Sequence, residues 1–157
     1  MANKMQRFTQ SARRVLGYAQ DEANYLHSSF IGTEHMLVAL VREEHGIAGK
    51  VLRELGANKQ EVQALVEKLT GSAEPRMTSA PPELSPGVKR VLELAVGESR
   101  RIGSDFVDTE QLLLGLLRLP ESTAANILSQ LHIKTEDVQR RVEQETSQKN
   151  GGSASPQ

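Results

Sequence analysis

Cysteine and tryptophan are absent from this chain of 157 residues, and only 3% of its residues are aromatic. The missing cysteines exclude a disulfide scaffold, a thiolate nucleophile and a thiolate metal site, and they fit a reducing compartment. Charge of either sign is lacking in excess: the formal net charge is −1, so the whole molecule is not drawn toward nucleic acid or anionic membrane. The N-terminal stretch Met1-Ala2-Asn3-Lys4-Met5-Gln6-Arg7 has no apolar core of the kind that a secretory signal needs. No apolar run approaches the roughly 18 residues required to span a bilayer. The longest, Leu112 to Leu117, is far shorter. The expectation is a cytoplasmic protein with no membrane and no nucleic-acid partner. Basic pairs do occur at Arg13-Arg14, Lys89-Arg90, Arg100-Arg101 and Arg140-Arg141. Such pairs are usually solvated helix faces, and there are few aromatics to stack on bases.

Catalytic patterns are missing too. Of the four histidines, His27, His35, His45 and His132, none belongs to a His-x-x-x-His or His-Glu-x-x-His pattern, so no metal site is expected. Gly46-Ile47-Ala48-Gly49-Lys50 has the outline of a phosphate loop, but Glu44 stands where its first glycine belongs. The residue after Lys50 is Val51, which offers no hydroxyl to Mg²⁺. Gly-x-Ser-x-Gly and Gly-x-Gly-x-x-Gly are absent. We expect neither enzymatic activity nor a cofactor.

What is present is helical periodicity. Ala12, Val15, Leu16, Ala19 and Ala23 make one apolar stripe from Thr9 to about Tyr25, with Thr9 or Ser11 as cap and Phe8 as staple. Gly32-Thr33 reads as a turn and N-cap for a second helix ending near Glu43. Ile47 to Leu55 makes a third, closed by Gly56 at a C′ position. Asn58 to Glu61 is a capping box opening a fourth. From Gly71 to Glu83 the composition turns to Gly, Ser, Ala, Pro and Thr, which reads as a linker. Ser85-Pro86 then caps a fifth helix, and a sixth stops at Pro120. Glu121-Ser122 starts a seventh, and Thr135 caps an eighth.

The halves are copies. Phe30-Ile31-Gly32-Thr33-Glu34-His35, followed by an apolar run, returns 76 residues later as Phe106-Val107-Asp108-Thr109-Glu110-Gln111. Sliding the chain on itself by that interval aligns 61 pairs without a gap, from Arg7/Glu83 to Glu67/Glu143, and 19 pairs are identical. Repeats of this kind set the architecture. The fold class is all-α, with two tandem four-helix repeats related by pseudo-two-fold symmetry. The expected divisions are 1–70, a linker at 71–83, 84–148, and a flexible tail at 149–157. Symmetry inside one chain removes the need to dimerise, so a monomer is expected.

These residues together resemble the N-terminal (Clp repeat) domain of the Clp/Hsp100 AAA+ unfoldases, in its ClpC branch. The markers are Arg7-Phe8-Thr9, Val15-Leu16, Ile31-Gly32-Thr33-Glu34-His35, Gly46-Ile47-Ala48 and Leu55-Gly56, then Arg90 to Ala95 and Leu112 to Leu117. The resemblance covers about residues 5 to 145. It implies a non-catalytic module that docks Clp adaptors and marked or unfolded substrate proteins, reaching a ClpP-type protease only through ATPase domains that this sequence does not contain. It leaves open a stand-alone regulator, adaptor or decoy for the same clients.

The resemblance also implies phosphoarginine recognition, in which the Glu of each Gly-Thr-Glu-His motif binds the guanidinium. The matching positions are Glu34 and Glu110, with Thr9 and Ser85 on the phosphate side and Thr33 and Thr109 nearby. A carboxylate can grip a guanidinium through two parallel hydrogen bonds, and helix-start N–H groups can hold the phosphate. Thr-Glu at a helix start is also ordinary, because Thr caps and Glu complements the macrodipole. Asp108 and Gln111 replace the Gly and His of the first copy, so the Glu34 site is expected to be the stronger.

Overall fold

A computed structural model describes residues 4–70 and 80–154. After a short 3-10 turn at Lys4–Arg7, the elements are α1 (Gln10–Tyr25), β1 (Phe30–Ile31), α2 (Thr33–Arg42), α3 (Ile47–Glu54) and α4 (Lys59–Thr70). Then come β2 (Glu83–Leu84), α5 (Pro86–Arg101), α6 (Thr109–Leu117), α7 (Thr123–Gln130) and α8 (Thr135–Ala154). The architecture is two four-helix repeats, as the periodicity requires. Residues 71–79 of the expected linker lie outside the described residues. Its last residue, Glu83, belongs to β2. The last helix also runs on through Ala154, into the segment read as a tail. Adding a residue to an existing helix requires only one more backbone bond.

Each helix has a local reason to begin where it does. Thr9 Oγ1 accepts from the Ala12 N–H, and Ser85 Oγ accepts from the Val88 N–H with Pro86 at the first helical position. Ser122 does the same for α7 through Ala125. Asn58 caps α4 by accepting from the Glu61 N–H, and its own side-chain amide donates back to Glu61, both at 2.8 Å. The threonine caps need correction: Gly32 and Asp108 are the N-cap residues, and Thr33 and Thr109 are the first helical residues. Thr135 likewise lies inside α8. Gly32 and Asp108 both take extended backbone, as N-cap residues do.

The helix ends also answer one another across the repeat. Gly56 has φ 110°, and its counterpart His132 has φ 60°; His27 has φ 55°, and its counterpart Gly103 has φ 72°. Each repeat therefore holds one left-handed turn with glycine and one with histidine, which tolerates that region better than most residues.

One hydrophobic core unites the two repeats, centred on α2 and α6, whose Met36, Leu37, Leu40, Leu112, Leu113 and Leu116 are essentially inaccessible. Contacts between repeats come in symmetry mates: α2 on α7 with α6 on α3, α3 on α8 with α7 on α4, and α1 on α6 with α5 on α2. Equivalent ion pairs tie the long helices to the central ones, Glu22–Arg42 at 3.1 Å and Glu98–Arg118 at 2.7 Å. Burial raises the Glu98 pKa, but hydrogen bonds from Arg101 and Arg118 outweigh it and hold the carboxyl below its usual range. Several of the basic pairs are thus spoken for: Arg14 meets Glu43, Arg90 meets Glu93, Arg101 meets Glu98, and Arg141 meets Glu54.

The two repeats are also joined by extended backbone. β1 pairs with β2 in parallel, Phe30 opposite Glu83 and Ile31 opposite Leu84. Its symmetry mate is a bridge between Phe8 and Val107. Two-residue strands carry no readable alternation, so periodicity gives no sign of them. Their effect is to bring the start of each long helix beside the central motif of the opposite repeat.

Candidate functional site

This cross-pairing decides which predicted residues meet. Glu34, at the start of α2, faces a cavity of about 570 Å³ whose other walls include Ser85 and Gly87 of α5 and Ser122 and Thr123 of α7. Three helix N-termini therefore converge on one half-exposed carboxylate. The Glu34 carboxylate has no hydrogen-bond or ion-pair partner among the described residues. It lies against the Cα of Gly32, where a Cβ would stand 2.3 Å from one of its oxygens. Among the described residues no Lys or Arg lines the cavity, and Glu121 adds a second carboxylate to the rim. The helix starts supply positive potential through their peptide dipoles, which suit an anion there.

The second site pairs Glu110 with Thr9 around a cavity of about 430 Å³, closed by the 102–104 turn and Thr146 of α8. It is not equivalent to the first. Asp108 Oδ1 accepts from the Thr109 N–H and from the Thr9 hydroxyl, both at 2.8 Å. The hydroxyl expected on the phosphate side is thus engaged by a carboxylate that Gly32 does not supply in the first copy. Glu110 is also only 2% exposed. In the first site Ser85 serves α5 as cap, and the backbone opposite it is glycine.

Thr33 and Thr109, placed near the ligand by the sequence reading, turn inward. Thr33 Oγ1 accepts from the Ala124 N–H at 3.2 Å, and Thr109 Oγ1 accepts from the Ala48 N–H at 3.3 Å. Each hydroxyl caps the third helix of the opposite repeat, and Thr33 also contributes to the wall of the Glu34 cavity. Residues that sequence reasoning missed are Phe30, Gly32, Ser122 and Thr123. A glycine at an N-cap is a weak signal, and the walls from α7 depend on how the repeats pack.

The residue after Glu34 positions the loop. His35 is 1% exposed, and its Nδ1 accepts from the Gly32 N–H at 2.9 Å. Gln111 does the same for Asp108 through Oε1 at 2.8 Å. Both reproduce the reach-back arm of a capping box. Burial pushes the His35 pKa down, while the charges of Glu34 and Glu22 pull it up, and burial prevails. The neutral imidazole keeps its Nδ1 lone pair for Gly32. The unfolded chain therefore takes up this proton more readily than the folded one. Stability is fully present above the ordinary histidine value of 6.5 and falls as pH drops below it. Urea unfolding at pH 7.5 and pH 5.5 should show a loss in wild type that His35→Gln reduces. An identical pH dependence in the variant would contradict this account.

Comparison with known proteins agrees with this architecture. The family model for the Clp repeat (R) N-terminal domain matches residues 7–131. The chain belongs to the Clp repeat N-terminal domain family. It is 40% identical over 136 residues to the negative regulator of genetic competence ClpC/MecB of Bacillus subtilis (strain 168). It is 41% identical over 136 residues to the chaperone protein ClpB of Oceanobacillus iheyensis. These alignments take in 87% of this chain but only 16% and 17% of those proteins, so the Clp domain spans about a sixth of their length. The relatives also include ClpA homologues, as in Guillardia theta at 40% identity, so the family extends across branches and does not single out ClpC. Among solved structures, the N-terminal domain of ClpD from Arabidopsis thaliana matches with a TM-score of 0.78 at 24% identity, covering 90% of this chain and 99% of that one. A ClpV N-domain in complex with a VipB peptide has the same fold, with a TM-score of 0.66 at 17% identity, covering 86% and 84%. The matched Clp domain is a non-catalytic N-terminal module. Among the described residues, no helix is long and apolar enough to cross a membrane.

Proposed function

We propose that this Clp N-terminal domain is the docking module of a ClpC-like, cytoplasmic protein-unfolding ATPase, and that its Glu34 cavity receives phosphoarginine on proteins marked for degradation. The observation that carries this reading is the Glu34 carboxylate, set beside the N-termini of α5 and α7 and without a protein partner among the described residues. A guanidinium meets the carboxylate edge-on, and its phosphoryl group meets the amides at the helix starts. The membership of the chain in the Clp family, with ClpC/MecB among its relatives, supports the same reading. Adaptor docking is part of the proposal, in keeping with the peptide held by the ClpV N-domain.

The second site takes the ligand weakly. Asp108 adds negative charge where the phosphate would lie and holds the Thr9 hydroxyl. The test is calorimetric titration of the full chain with a phosphoarginine peptide and its unmodified twin. Glu34→Ala should weaken binding on the order of 10- to 100-fold, the range for a charged hydrogen-bonded pair. Glu110→Ala should change it little. Equal affinity for the two peptides would defeat the phosphoarginine reading, and a larger loss in Glu110→Ala would reverse the order of the sites.

A further inference from the structure

The chain has three phenylalanines, and two occupy the same place in the two repeats. Phe30 is 50% exposed and Phe106 is 58% exposed. Neither is left outside by loose packing. Phe30 lies in β1, where alternation sends Ile31 into the core and Phe30 outward. Ser28 clamps its backbone from both sides: the Phe30 N–H donates to Ser28 Oγ at 3.2 Å, and that hydroxyl donates to the Phe30 carbonyl at 2.7 Å. Ser104 holds Phe106 in the same way, at 3.0 and 2.9 Å, and Ser99 adds a third bond at 2.7 Å. A single exposed apolar residue needs no explanation. Here the exposure is enforced twice, by a hydroxyl clamp, and each ring lines the cavity that holds the repeat's glutamate.

We infer that Phe30 is a specificity-determining residue of the Glu34 cavity, its ring stacking on the flat guanidinium face while Glu34 bonds the edge. The inference rests on the phosphoarginine reading above and sharpens it to a planar cation. A guanidinium offers a face that an aromatic ring can cover as well as an edge that a carboxylate can grip. A phosphorylated lysine of equal charge has no such face. The cavity thereby selects phosphoarginine over phospholysine through Phe30, and over unmodified arginine through the helix starts.

The experiment titrates wild type, Phe30→Leu, Phe30→Tyr and Glu34→Ala with phosphoarginine and phospholysine versions of one peptide. Phe30→Leu keeps an apolar side chain but loses the π face. It should weaken phosphoarginine binding on the order of 3- to 30-fold and leave phospholysine binding unchanged. Phe30→Tyr should bind as wild type does. Proton NMR adds a readout that a structural role would not move: the arginine side-chain methylene signals of the bound peptide should shift upfield in wild type and not in Phe30→Leu. If Phe30→Leu binds as tightly as wild type while Glu34→Ala loses the peptide, stacking is wrong and the phosphoarginine reading survives. Equal losses in the Leu and Tyr variants also overturn it. If wild type does not prefer phosphoarginine to unmodified arginine, both readings fall.

Discussion

Truncating Leu113 to alanine should cost about 2–5 kcal/mol of folding stability, the range for removing a fully buried leucine. Leu113 is inaccessible to solvent and lies on α6, one of the two helices at the centre of the shared core. α6 packs against helices of both repeats, so a cavity in it cannot be closed by moving one helix. Domains of this kind are stable by roughly 5–15 kcal/mol, which makes the loss a large fraction of the total. Thermal unfolding should fall by on the order of 10 °C. Leu114, the next residue, is only partly buried against the core, and its truncation should cost much less. Equal losses at the two positions would mean that α6 is rotated from the orientation described above.

Replacing Gly49 with alanine should destabilise the fold by about 1–3 kcal/mol, the cost of overpacking. A Cβ there would stand 2.5 Å from the Leu40 carbonyl oxygen and 2.7 Å from that of Glu43. Both are backbone atoms at the end of α2 and cannot swing aside, so α3 must move off α2. The better helix propensity of alanine, worth about 1 kcal/mol, offsets only part of this. The matching residue in the second repeat is Ala125, which is half-buried and accommodated. Ala125→Gly should therefore lose only about that propensity difference. Urea unfolding of the two variants measures the contrast. An alanine at 49 that stabilised the chain would show that the α2–α3 approach is looser than described.

Much of this fold was legible because helices leave long-period marks. Of the stripe Ala12, Val15, Leu16, Ala19 and Ala23, all but the half-buried Leu16 are buried, and the 76-residue interval maps every helix onto its counterpart in the other repeat. Side-chain caps were marked at Asn58 and Ser85, while Thr9 was one of two candidates with Ser11 and Ser122 lay within the Glu121-Ser122 start of α7. Gly32 did not, because a glycine cap has no side chain to mark it, and Thr33 drew the assignment one residue too far. Asp108 with Gln111 has the spacing of a capping box, whereas Gly32 with His35 supplies only the reach-back arm, which sequence does not mark. In the run Leu112 to Leu117, composition cannot say which leucine is sealed in; only packing against α5 and the other repeat decides that.

The candidate site was legible by residue but not by partnership. Glu34, Glu110, Thr9 and Ser85 were visible as candidates, yet their pairing across repeats depends on a two-residue ladder and a single bridge with no sequence signature. Charge was partly legible too: Asp108 was expected to make the second copy different, and its bond to Thr9 supplies a physical mechanism for the difference.

The crossed ladders have a consequence for how such a chain can change over time. Were two separate copies of one repeat to assemble about the same axis, each mutation would appear in both cavities at once. Joined in one polypeptide, each cavity draws its glutamate from one half and its hydroxyl from the other, so the two are encoded by separate residues. A glycine can persist at 32 while an aspartate stands at 108, and one cavity can drift without harming its twin. Fusion converts a symmetric pair into two independently editable cavities on a single scaffold.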